Sequence, residues 1–99
     1  MTRDVYRYTF TETVPFQDVE ATIVIALFGT TAIHGESRTR MDARYVFDAD
    51  KRTCVIAADT PAGQHLNELF TEYCRRSFGE DAFKIERIVG EVPAERSAA

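Results

Sequence analysis

The chain has 99 residues, 44% of them hydrophobic and 28% charged, with a net charge of −4 and a pI near 5.1. That length bounds it to one domain with enough apolar content to bury a core without staples. The acidic balance excludes a surface tuned throughout to nucleic acid or anionic lipid, and no run of residues reads as long and apolar enough for a membrane span. The opening residues, MTRDVYRYTF, lack the apolar core of an export signal, so a cytoplasmic protein is expected. Cys54 and Cys74 have no CxxC spacing and are expected as reduced, buried thiols.

Residues 5–14, VYRYTFTETV, alternate as a strand does. Tyr6, Tyr8 and Phe10 are expected toward the core, with Arg7, Thr9 and Thr11 on the opposite face. Pro15 closes the strand and suits a helix start. A first helix is expected over about 16–33, with Asp18 and Glu20 at the positive end of its dipole and Gly35 as a left-handed stop. Its centre, DVEATIVIALF, is apolar nearly all round.

Residues 38–47, RTRMDARYVF, alternate in period two and read as a strand with one wet face. The polar turn 48–51 and a strand over 52–59 complete a hairpin. Its expected pairs are Tyr45 with Cys54, Ala43 with Ile56 and Met41 with Ala58, all facing the core. Thr60 as N-cap and Pro61 at the first position open a second helix that runs to about Ser77 and ends at Gly79. Leu66, Leu69, Phe70, Tyr73 and Cys74 form its apolar stripe. The last strand is expected over 83–89, and 90–99 as a loose tail.

The order β-α-β-β-α-β over residues 5–89 resembles the ferredoxin-like two-layer sandwich. That resemblance is of topology. It implies an α+β fold in which an antiparallel four-stranded sheet carries two helices on one face. The fold hosts unrelated functions, so function must come from a site. The expected core joins Tyr6, Tyr8, Phe10, Ile23, Ala26, Met41, Tyr45, Cys54, Ile56, Leu66, Leu69, Phe70, Tyr73, Phe83 and Ile85.

Candidate chemistry is sparse. Core parity puts Arg7, Arg38, Arg40, Arg44 and Lys84 on the open face of the sheet, beside Glu36, Asp42 and Glu86. Single-stranded nucleic acid would need aromatic platforms on the two central strands, and that face offers Arg7, Thr9, Thr11, Thr53, Val55 and Ala57 instead. His34 and His65 belong to no HExxH or other ligand spacing, so no metal is expected. Both cysteines fall on core faces, no GxSxG or glycine-rich phosphate loop occurs, and no catalytic residue or cofactor is expected. The second helix start, residues 59–64, could hold an anion at its free N–H groups, but capping by Thr60 or Asp59 accounts for the same residues.

The strongest candidate is the first helix. Val19, Ile23, Ala26, Thr30 and Ile33 suffice to meet the sheet, which leaves Ala21, Val24, Ile25, Leu27 and Phe28 over. A leftover apolar patch marks a partner surface. The expectation is a non-enzymatic protein-interaction module that pairs with a copy of itself. Val24, Leu27 and Phe28 form the first candidate interface, and the mixed-charge face with Arg38, Arg40 and Arg44 forms the second. The alternative is a small-molecule-binding or catalytic domain with a pocket between helices and sheet. A third reading is single-stranded nucleic-acid binding on the open sheet face.

Overall fold

A computed structural model describes residues 4–88. The expected tail, and Val89 at the end of the expected last strand, lie outside the described residues. The element order is β1 (Val5–Phe10), α1 (Phe16–His34), α2 (Glu36–Asp42), β2 (Tyr45–Asp48), β3 (Thr53–Ala57), α3 (Pro61–Phe78), a short 3-10 turn (Glu80–Ala82) and β4 (Phe83–Ile88). The fold is α+β, with one four-stranded sheet in the order β2-β3-β1-β4, every neighbouring pair antiparallel, and three helices.

The aromatic alternation of β1 does what its period dictates. Tyr8 and Phe10 are buried and Tyr6 packs beside them, while Arg7 and Thr9 take the opposite face. The Tyr8 ring meets Phe70 edge-on at 4.9 Å. Its hydroxyl, 2.6 Å from Asn67 Oδ1 and 2.6 Å from Thr71 Oγ1, ties the central strand to α3. One core forms between the inner sheet face and the two long helices: Tyr8, Phe10, Cys54 and Ile56 from the sheet, Val19, Ile23 and Ala26 from α1, Leu66, Phe70 and Cys74 from α3.

α1 buries two threonines at no hydrogen-bonding cost. Thr22 donates to the Asp18 carbonyl at 2.7 Å and Thr30 to the Ala26 carbonyl at 2.9 Å. Gly35, at φ 88°, breaks the helix as expected, and its N–H donates to the Thr31 carbonyl. Gly79 repeats that device after α3. At the start of α3, Thr60 caps as expected, with its hydroxyl oxygen accepting from the Gly63 N–H at 3.0 Å.

The segment after Gly35 departs from the expectation. Residues 36–42 form α2, not a strand, so there are three helices rather than two. Two i,i+4 ion pairs run along α2, Arg38–Asp42 at 3.6 Å and Arg40–Glu36 at 3.8 Å. The charges that alternate in period two are also spaced for helical pairing. Met41 is therefore 74% exposed and not in the core. The hairpin slips by two residues, with Tyr45 opposite Ile56 and Phe47 opposite Cys54. A shift of two keeps side-chain parity, so Tyr45 and Phe47 still face the core. Ala43 remains fully buried although it precedes the strand.

One further core expectation fails, and so does the last position of the stripe expected to carry α1 against the sheet. Ile85 lies on the inner face but on an edge strand, 40% exposed, and Ile33 at the end of α1 is 63% exposed. β1 ends at Phe10, four residues early, and β3 begins at Thr53 because Arg52 belongs to the turn with φ 57°. α1 also differs from the sequence reading in one respect: with 19 residues and a hydropathy of 1.3, it is by length and composition long and apolar enough to cross a membrane. Here one of its sides packs against the sheet and α3.

Candidate functional site

α1 presents two apolar faces. At 100° per residue, Val19, Ile23, Ala26 and Thr30 fall on one side, and they are buried. Ala21, Val24, Ile25 and Phe28 fall on the opposite side. Val24 is 50%, Ile25 53% and Phe28 73% exposed. No charged residue interrupts the helix between Ala21 and Ile33. Of the three residues expected at this interface, Val24 and Phe28 are on the outward stripe. Leu27 is half-buried, packed against the core beside that stripe. Ile25 belongs to the stripe instead.

The second candidate surface does not assemble as expected. Arg38 and Arg40 lie on α2, paired within that helix, together with Glu36 and Asp42. Arg44 precedes β2, where its carbonyl accepts from the Ala57 N–H at 3.0 Å. By register the open face holds Arg7, Lys84 and Glu86, and Arg7 grips Glu86 Oε1 through Nε and Nη2 at 3.2 and 3.0 Å. Beyond Arg7 and Glu86 the face is apolar. Val5 and Ala57 are fully buried there, with Val46, Val55 and Ile88 packed against them. A shallow groove of about 540 Å³ runs over Thr9, Val46, Thr53 and Val55 to Lys51. Among the described residues the outward positions of β1 and β3 carry no aromatic platform.

The titratable candidates sit apart from both surfaces. His34 and His65 bring α1 and α3 together edge to face, with ring centroids 5.4 Å apart, and His34 Nε2 is buried without a hydrogen-bond partner. No group of three or more His, Cys, Asp or Glu with metal-binding geometry occurs among the described residues. Cys54 and Cys74 are free and buried. Burial pushes the Cys74 thiol up to about 12 and Cys54 well above the ordinary thiol range, with the neighbouring Cys74 adding to the latter. Desolvation likewise raises Tyr8 and Tyr45. Thiols held protonated in this way are poor nucleophiles.

A second concavity, about 510 Å³, opens between residues 13–15, the first turns of α1 and the end of α3, lined by Val14, Asp18, Thr22, Ser77 and Phe78 among others. No sequence pattern announces it, because it is built from a turn and two helix ends that no single periodicity links.

No protein family, no curated protein and no solved structure matches this chain.

Proposed function

We propose that the protein is a non-enzymatic interaction module of ferredoxin-like topology that pairs with a copy of itself through the outward face of α1. The strand order, the antiparallel pairing and the placement of both long helices on one side of the sheet support that topology. α2 is then an addition between the first long helix and the second strand. The observation that carries the interface is the exposure of Phe28 in line with Val24 and Ile25. Three large apolar side chains on one uncharged stripe are what a two-fold contact buries. Each contributes roughly 25 cal/mol for every Å² removed from water. The buried, protonated thiols fit a reducing compartment, in keeping with a cytoplasmic protein.

Sedimentation at high micromolar concentration tests the reading. The wild type should run above its monomer mass. Phe28→Asp should stay folded by circular dichroism and weaken association by roughly thirtyfold or more, the effect of losing an interface anchor. A wild type that stays monomeric sinks the proposal, and association untouched by Phe28→Asp moves it off α1. Leu27 is unsuited to this test, because its substitution would disturb the core.

Small-molecule binding is a second reading, favoured by the 510 Å³ cleft beside Asp18 and Phe78, whose size is that of a ligand site. A ligand there would protect Phe78→Ala less than the wild type against heat.

A further inference from the structure

We infer that β4 is a second self-recognition element, pairing antiparallel with β4 of another copy in one register centred on Ile85. β4 is the end strand of the sheet, so one edge of its backbone has no strand partner among the described residues. It is six residues long and regular, opposite β1 from Val5↔Ile88 to Phe10↔Phe83. Such an edge is a template for another strand.

The side chains select the register. Lys84 and Glu86 project on the open face on either side of Ile85, with opposite charges. A two-fold axis through Ile85 places each Lys84 opposite Glu86 of the other copy, twice over. Centring on Lys84 or on Glu86 instead sets like charges against each other, and an axis between two residues would set inner-face side chains against open-face ones, which the pleat forbids. Of the registers centred on Lys84, Ile85 or Glu86, only the Ile85 one sets Lys84 against Glu86. It also uses groups the monomer leaves over. Glu86 gives Oε1 to Arg7, while Oε2 and the Lys84 ammonium make no ion pair among the described residues. On the inner face, the 40% exposed Ile85 would meet its own copy beside Tyr8, covering apolar surface that the fold leaves open.

A strand of this length buries less than a standard interface, so the contact is transient and is read by trapping rather than by mass. Residues facing each other across the axis have Cα atoms about 4.5–5.5 Å apart, within reach of a disulfide. Ile85→Cys should therefore give a covalent dimer under mild oxidation. Arg87→Cys, on the same face but opposite Phe83 of the other copy, should not. The expected difference in rate is roughly tenfold or more, since pairing turns collision into a local encounter. The native thiols, both buried, contribute little background. Repeating the pair in the Phe28→Asp background separates this contact from the α1 interface, because trapping at residue 85 should persist there. Lys84→Glu should slow trapping and Lys84→Glu with Glu86→Lys should restore it. Equal rates for Ile85→Cys and Arg87→Cys, or indifference to the charge reversal, overturn the pairing and leave Lys84 and Glu86 as charges that guard an edge.

Discussion

The first turn of α3 lies so close to the end of β3 that a Cβ on Gly63 would stand 2.3 Å from the Ala57 carbonyl oxygen and 3.0 Å from Thr60 Oγ1. Gly63 is thus required by close approach and not by backbone angle. The closeness lets Thr60 cap the helix while its hydroxyl donates to the Asp42 carbonyl at 3.2 Å, joining α2, β3 and α3 at one corner.

Gly63→Ala should consequently destabilise the fold by about 1–3 kcal/mol, the range for overpacking against rigid backbone. Urea unfolding checks this as a lower midpoint with an unchanged slope. Gly29→Ala is the contrast. Its Cβ would meet Leu69 Cδ1 at 2.8 Å, the far end of a flexible side chain that can turn away, and Ala favours a helix interior, so a smaller cost is expected.

Phe70→Ala should cost about 3–5 kcal/mol, because Phe70 is fully buried against Tyr8 and Phe10. Met41→Ala should change stability by less than about 0.5 kcal/mol, because Met41 is exposed on α2. The two were indistinguishable as core candidates from sequence. Phe70 belongs to a five-residue apolar stripe whose helical spacing admits one reading. Met41 belongs to RTRMDAR, where alternation fits a strand and the Glu36–Arg40 and Arg38–Asp42 spacings fit a helix. A seven-residue segment is too short for periodicity to decide, and Gly35 both ends α1 and precedes a new helix. The outward face of α1 was legible because a two-layer fold can bury only one side of a helix. The half-burial of Leu27 depends on how α1 is rotated on the sheet, which its nearly uniform apolarity leaves open.

Stability should fall on the alkaline side. The folded state holds Cys74 protonated up to about 12 against an ordinary value of 9.0, and it raises Cys54 and Tyr8 as well, in each case chiefly by burial. The unfolded chain releases these protons first. Their contribution is complete below the ordinary thiol value and is lost as pH rises through the folded one. Melting temperatures should drop steadily between about pH 9 and pH 11. Cys74→Ala, though less stable at neutral pH, should show a shallower drop. Native thiol labelling should be slow and become fast on denaturation.

Arg52 is the residue whose importance the sequence hid most completely. It reads as the first position of a strand. It is instead the one non-glycine among the described residues with positive φ, 57°, and its guanidinium reaches across the sheet end. Nε and Nη2 donate to the Thr11 carbonyl at 3.2 and 2.8 Å, Nε also reaches Phe10 O at 3.3 Å, and Nη2 donates to Val14 O. Its own carbonyl accepts from the Phe10 N–H at 3.0 Å, and its guanidinium lies 6.0 Å from the Phe16 ring centre. These contacts join the end of β1 to the start of α1 and stop the strand at Phe10. Two costs can be separated by substitution. Arg52→Ala loses the charge-assisted bonds, about 1.5–3 kcal/mol, and keeps a left-handed backbone that an alanine resists. Arg52→Gly loses the same bonds but accepts the backbone freely, so it should be the more stable of the two by about 1 kcal/mol. Arg52→Lys keeps the charge but cannot present the planar fork, and it should fall between the wild type and Arg52→Gly. Urea midpoints of the four proteins check the order, and an Arg52→Ala as stable as Arg52→Gly would remove backbone strain from the account.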